Sequence, residues 1–273
     1  MENFTIVSEE QWYKIPEERE ANFRNLIDER RKGRVMNTGF FVNNSDEIRL
    51  IGTFLKQDTN AFYHANYNGG GSWQIPNSIE NLIWTLKNDV DPFPDRIQNA
   101  AIQFSKILHQ DLPQILQITK KNNLTVCVIP RSKAESHYKK DQLLFREIIS
   151  LVVDKLPNLD NGTKYIIRHT NTRTTHLDRN GEGGDGNLPY PGITKDTCTI
   201  SEKVNGKNIL LIDDLYTKSV NIDEDAIQAL LDKGANSVVF YSVGKTVFRN
   251  SVTLPPANQI TANNDNNDDD LPF

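Results

Sequence analysis

The chain reads as an α/β protein, a parallel sheet flanked by helices, preceded by an N-terminal α+β extension and followed by an acidic tail. Three observations predict this. Short apolar runs without polar alternation, Leu124–Ile129, Ile209–Ile212 and Ser237–Val243, have the length and pattern of strands buried on both faces. Segments with apolar residues at helical spacing lie between them. The last two runs also enclose a β-turn-α-β unit: the helix after the turn carries Ile222, Ala226, Ala229 and Leu230 on one face and stops at Gly234.

The remaining elements follow in order. Pro16 suits a first helical turn, and Ala21, Phe23, Leu26 and Ile27 form a face that runs into Arg30-Arg31-Lys32-Gly33-Arg34. Residues 36–42 and 47–55 predict a hairpin around Asn43-Asn44-Ser45-Asp46. Phe62 to Trp73, with aromatics beside three glycines, is read as an exposed turn rather than a base-stacking loop. Ser78 caps a helix that ends at Lys87, and a longer one starts at Pro94 with Ile97, Ala101, Phe104, Ile107 and Leu108 inward. Helix 140–155 buries Leu143, Leu144, Ile148, Ile149 and Val152, and Tyr165–Arg168 starts a further strand. The Gly-rich connection after it, with Gly181, Gly183, Gly184 and Gly186, is long for a compact domain and reads as a lid or an unstructured loop. The domain division expected is 1–77, 78–250 and 251–273.

Composition excludes several classes. At 273 residues, 37% hydrophobic and 25% charged, the chain has ample material for a core. No apolar run approaches the roughly 18–20 residues needed to span a bilayer, and the start lacks a basic segment followed by an apolar one, so a cytoplasmic protein with no membrane contact is expected. Cys127 and Cys198 stand far apart, without zinc-ligand spacing. Four of the five net negative charges fall on Asp265, Asp268, Asp269 and Asp270. The rest of the chain is close to neutral, which leaves room for direct nucleic-acid contact through a local basic groove.

The chemistry concentrates where the Ile209–Ile212 run meets Asp213-Asp214-Leu215-Tyr216-Thr217-Lys218-Ser219-Val220-Asn221. Open α/β sheets bind ligands at the carboxyl ends of their strands. Backbone N–H groups of Thr217 to Asn221, at a helix start, suit a phosphate, with Thr217 and Ser219 adding hydroxyls and Lys218 a charge. Asp213 and Asp214 suit the hydroxyls of a ribose or a Mg2+ ion. A receiver domain carries its Asp pair near its beginning, with far more chain downstream. A Walker-type ATPase needs a Gly-x-x-x-x-Gly-Lys-Ser/Thr loop, absent here. An acidic strand end in an ordinary α/β protein is the plainer alternative. Earlier in the chain, Pro130-Arg131-Ser132-Lys133 places cations and hydroxyls after another strand, suited to a pyrophosphate, and Arg168 is a further cation for the same group.

The run Leu211-Ile212-Asp213-Asp214-Leu215-Tyr216-Thr217-Lys218-Ser219-Val220-Asn221 resembles the phosphoribosyl-pyrophosphate loop of type I phosphoribosyltransferases, apolar-apolar-Asp-Asp-x-x-Thr-Thr-Gly-x-Thr. Thr217 matches; Lys218, Ser219 and Asn221 depart. The order of Lys87, Val128-Ile129-Pro130, Gln142, Arg168 and Asp213-Asp214 is similar to the ComF-like branch, over roughly residues 78–246, without the Cys cluster many of its members carry. The resemblance implies a ligand such as phosphoribosyl pyrophosphate or a nucleotide, and Asp213 and Asp214 as the catalytic and Mg2+-holding pair. Thr217, Lys218, Ser219, Val220 and Asn221 would hold the 5-phosphate, and Arg131, Ser132, Lys133 and Arg168 the pyrophosphate. It implies a phosphoribosyltransferase if the chain is active, in bacterial or phage DNA processing, competence or defence. A non-catalytic nucleotide-sensing module is the alternative.

The last residues, Asp268-Asp269-Asp270-Leu271-Pro272-Phe273, follow an Asn/Asp-rich stretch whose composition reads as disordered. They resemble the acidic tip of bacterial single-stranded-DNA-binding proteins. That implies docking on replication and repair proteins: a terminal Phe in an apolar pocket, its carboxylate on an arginine, the acidic run steered by basic residues.

Overall fold

Strands without a polar face need cover on both sides, and the computed structural model supplies it. It describes residues 36–42, 47–52, 55, 59–89, 94–174, 197–217 and 222–247. The strands are β1 (Met36–Val42), β2 (Glu47–Gly52), β3 (Thr59–Tyr67), β4 (Leu124–Val128), β5 (Leu159–Asn161), β6 (Ile166–Arg168), β7 (Cys198–Ile200), β8 (Asn208–Tyr216) and β9 (Ser237–Thr246). The helices are α1 (Ile79–Lys87), α2 (Pro94–Thr119), α3 (Leu144–Val153) and α4 (Ile222–Asp232). Among the described residues the main sheet has seven strands in the order β2-β1-β3-β9-β8-β4-β5. Its centre is a parallel run of five, β3-β9-β8-β4-β5, flanked by helices. β1 adds parallel to β3, and β2 pairs antiparallel with β1 as the expected hairpin. β6 and β7 form a separate antiparallel pair.

Alternation along the central strands divides the core. Phe62, Tyr241, Ile212, Leu210 and Val128 face Leu82, Ile83 and Leu86 of α1, Phe104 and Leu108 of α2, and Ile149 of α3. Ala61, Tyr63, Phe240, Leu211, Ile209 and Cys127 face Ala226, Ile227 and Leu230 of α4, together with Ile166 and Cys198. One polar group crosses the first layer. Asp111 of α2, fully buried, accepts a hydrogen bond from the Tyr241 hydroxyl (2.7 Å) and pairs with His64 Nδ1 (2.9 Å), tying α2 to β9 and β3. A buried carboxylate so partnered fixes the position of the helix as well as its depth.

Several expectations meet their elements with small shifts. Ser78 Oγ accepts from Asn81 N–H (3.0 Å) and α1 ends at Lys87. The helix expected over 140–155 is a 3-10 turn, Lys140–Leu143, followed by α3. Other expectations are corrected. The stretch from Phe62, read as an exposed turn, begins as strand: Ala61, Phe62 and Tyr63 are buried in β3, and only Gly70–Gln74 forms a 3-10 turn. β3, before residue 77, pairs with β9 over Ala61–Tyr67. β5 and β7, each three residues long, had no sequence signal. The helix expected after Pro16 and the tail 251–273 lie outside the described residues.

Gly234 ends α4 at φ 98°, where its N–H and that of Ala235 donate to the Leu231 and Leu230 carbonyls (both 3.0 Å). A Cβ there would lie 2.6 Å from Asn205 Oδ1. Gly234→Ala should lower the unfolding free energy by about 1–3 kcal/mol in urea titrations. Gly71→Ala, where nothing lies within 4 Å of the added carbon, should be near neutral; equal losses would refute the assignment.

Candidate functional site

β4 and β8 are hydrogen-bonded neighbours, so their carboxyl ends open on the same edge of the sheet; Ile129 N–H still donates to the Ile212 carbonyl (3.0 Å) at that point. Asp213 and Asp214 belong to β8 itself, which continues to Tyr216. Both are partly buried. Asp213 Oδ1 accepts the Asp214 N–H (2.8 Å). Asp214 Oδ2 lies 3.1 Å from the ammonium of Lys87, the last residue of α1. Burial pulls the Lys87 ammonium down, but Asp214 and Asp213 outweigh it and hold it above its ordinary range.

A third acid joins from the other side of the loop. Asp223, in the first turn of α4 and 4% exposed, hydrogen-bonds to Asp213, and its Oδ1 has no partner. Burial and the charge of Asp213 push the Asp223 carboxyl well above the usual range, so it is the proton donor of the pair. Burial first, then Asp214, push Asp213 up to about 7. Next to it Glu224 Oε1 accepts from the buried Tyr216 hydroxyl (2.7 Å), and burial followed by Glu224 raises that phenol. Thr217 Oγ1 meets Thr246 Oγ1 (2.8 Å). Side-chain contacts thus fix Thr217 at the end of β8 and Glu224 at the start of α4. Lys218, Ser219, Val220 and Asn221 lie outside the described residues.

The loop after β4 is stitched to the chain after β6. Arg131 is turned inward: its guanidinium donates to the Lys87 and Gln142 carbonyls, pairs with Asp89 Oδ1 and stacks 4.5 Å above the Tyr138 ring. Ser132 Oγ meets Thr174 Oγ1 (2.9 Å), and the Ser132 carbonyl accepts from Thr172 N–H (2.8 Å). Lys133 Nζ donates to the Thr172 carbonyl (2.7 Å). Arg168, 4% exposed, donates from Nε to the Arg131 carbonyl (2.6 Å), while one terminal nitrogen is buried without a partner. Its burial pulls the guanidinium pKa down.

The structure therefore brings Asp213, Asp214, Thr217, Arg131, Ser132, Lys133 and Arg168 to one edge of the sheet. It gives Arg131 a wholly internal set of partners. Lys87, Asp223, Tyr216 and Glu224 also belong to the corner; Lys87 and Tyr216 entered the sequence reading only as parts of the resemblance, and none of the four was an expected site residue. The acidic start of α4, Asp223-Glu224-Asp225, was the available signal. The described residues of the corner do not fit a resident Mg2+ ion. Asp214 Oδ2 is taken by an ammonium and Asp213 by an N–H and the Asp223 carboxyl. Among the described residues no three His, Cys, Asp or Glu side chains converge as metal ligands. Among the described residues no helix is long and apolar enough to cross a membrane. No protein-family model matches the chain, and no curated protein is similar to it at a significant level.

A raised carboxyl pKa fixes the sign of a pH effect. Between the ordinary carboxylate value and about 7 the folded state keeps a proton on Asp213 that the unfolded chain has released, so this group costs stability as pH rises through that window. Asp213→Asn retains the acceptor for the Asp214 N–H and removes the charge. Relative to the parent its unfolding free energy should be unchanged near pH 4 and higher by about 1–3 kcal/mol at pH 8. A difference independent of pH would contradict the assignment.

Proposed function

We propose that the chain binds phosphoribosyl pyrophosphate or a related ribose phosphate across the carboxyl ends of β4 and β8, as a type I phosphoribosyltransferase-like protein of the ComF-like kind. One observation carries the reading. The acidic strand end and the hydroxyl- and cation-bearing loop, separated by some eighty residues of chain, lie on adjacent strands, with the end of α1 touching both: Lys87 Nζ reaches Asp214 and the Lys87 carbonyl receives Arg131. In this reading Asp214 and Asp213 accept the ribose hydroxyls. Ser132 and Lys133 face the pyrophosphate, and the unpartnered nitrogen of Arg168 supports it from below. Arg131 holds the loop in shape. As the bond from C1 to the pyrophosphate oxygen breaks, the bonding pair leaves with the pyrophosphate and the ring carbon becomes cationic. The carboxylates then lie where that charge develops.

Asp223, Glu224 and Asp225 fill the first turn of α4, so the positive end of its dipole already meets carboxyl groups. A 5-phosphate would rely on the turn N–H groups and Lys218. This observation, with Ser219 in place of a glycine, favours a second reading: the site senses the ligand without turning it over. Docking through Asp268, Asp269, Asp270, Leu271, Pro272 and Phe273 belongs with that reading and rests on sequence alone, as does a role in DNA processing or defence.

Calorimetric titration with ribose 5-phosphate and with phosphoribosyl pyrophosphate should give saturable binding, weakened tenfold or more, about 1.4 kcal/mol, in Asp214→Asn. Absence of binding, or an unaffected variant, would sink the proposal. Pyrophosphate release with candidate bases separates the two forms of it: binding without release selects the sensor.

A further inference from the structure

We propose that Lys87 is a built-in counter-ion that takes the place of a divalent cation at the Asp213–Asp214 pair, so that this corner works without a resident metal. The inference rests on the reading of the corner as a ligand site only for its consequence, not for its geometry. The geometry is local. α1 is rotated by burial of Leu82, Ile83 and Leu86, which turns Lys87 with Ile83 toward the sheet. It approaches closely because β9 carries Gly244 beneath it: a Cβ there would lie 2.8 Å from Ile83 Cδ1 and 3.1 Å from Leu215 Cδ1. The ammonium then lies 3.1 Å from Asp214 Oδ2, with both side chains only about a quarter exposed.

The end of the helix is fastened rather than frayed. Asn88 adopts the left-handed conformation (φ 48°, ψ 42°) and returns its N–H to the Trp84 carbonyl. Its side chain donates to Asp141 Oδ2 (2.8 Å), its carbonyl accepts from Gln142 (3.1 Å), and the Lys87 carbonyl accepts from Arg131. An exposed lysine pair costs entropy to hold in one geometry; here the backbone beneath it is already fixed by three contacts from two other segments, the loop after β4 and the 3-10 turn Lys140–Leu143. A Mg2+ ion on Asp214 would stand within a few ångströms of this ammonium, and like charges at that range in a partly desolvated site repel strongly. Either the lysine leaves or the metal stays out.

The test uses the full chain and MgCl2 alone, against NaCl at matched ionic strength, read by thermal unfolding and calorimetry. The parent and Lys87→Arg should show no saturable Mg2+ effect up to about 10 mM, roughly ten times above the weakest Ca2+ sites of proteins. Lys87→Gln, which keeps the stem and loses the charge, should gain one: a Tm that rises and saturates with Mg2+. Saturable Mg2+ binding by the parent overturns the proposal without reference to any variant, and so does a Lys87→Gln protein that remains indifferent to Mg2+. A second arm titrates ribose 5-phosphate in EDTA and in Mg2+. Equal affinity in the two is expected, and a tenfold gain with Mg2+ would count against the lysine's role. If ribose 5-phosphate does not bind at all, the ribose-phosphate reading fails while the Mg2+ arm still decides the role of Lys87.

Discussion

Carboxylates at the end of a buried strand are the constraint around which this fold is arranged. β8 is covered on both faces from Ile209 to Ile212 and then presents Asp213 and Asp214 where the apolar layers end. Removing an ionised carboxylate from water costs several kcal/mol unless it is paired or protonated. The two acids meet that cost differently. Asp214 is paired with the Lys87 ammonium, and Asp213 sits between a backbone N–H and the protonated Asp223. Each solution fixes an element: the first sets the end of α1, the second the start of α4. The corner is therefore built by the same contacts that make the acids tolerable.

The two partners come from opposite layers, which explains the geometry of the edge. α1 lies on one face of the sheet with α2 and α3, and α4 lies on the other. A strand whose consecutive residues alternate in direction delivers Asp214 toward α1 and Asp213 toward α4. Adjacent acids in sequence are thereby separated into two environments. Arg131 extends the α1 side to the β4 loop, and Tyr216 with Glu224 extends the α4 side along the turn.

Legibility in the sequence followed the same division between local and long-range causes. β4, β8 and β9 were readable because a continuous apolar run needs no partner to be recognised, and α1 was readable from Ser78 and the spacing of Ile79, Leu82, Ile83 and Leu86. β3 was not: Thr59–Tyr67 mixes Asn60, His64 and Asn66 with aromatics, and His64 is acceptable there only because Asp111 waits on α2. β5, Leu159-Asp160-Asn161, and β7, Cys198-Thr199-Ile200, carry no continuous apolar run of the kind that marked β6. At the site, the Asp pair and the hydroxyl-bearing loop stood out by residue type. Lys87 was noted only as a helix end in the family-like order, and a site role for it was not read, since a lysine at a helix end is ordinary. Its role depends on how closely α1 approaches β9, and that closeness is set by Gly244, more than 150 residues away in the chain.

The acidic start of α4 has one more consequence for any ligand of this edge. A helix N-terminus attracts anions through its free N–H groups and the dipole behind them. Here Asp223, Glu224 and Asp225 occupy that first turn, and the first two are spoken for by Asp213 and Tyr216. The anion-binding capacity of the helix is thus largely spent inside the protein. Among the described residues, what remains favourable to negative charge at this edge is in the loop after β4 and on β6, in Ser132, Lys133 and the unpartnered nitrogen of Arg168. The two halves of the edge consequently differ in sign: hydrogen-bond acceptors at β8, donors at β4. A phosphorylated sugar of the kind proposed would lie with its hydroxyls toward β8 and its pyrophosphate toward the loop after β4.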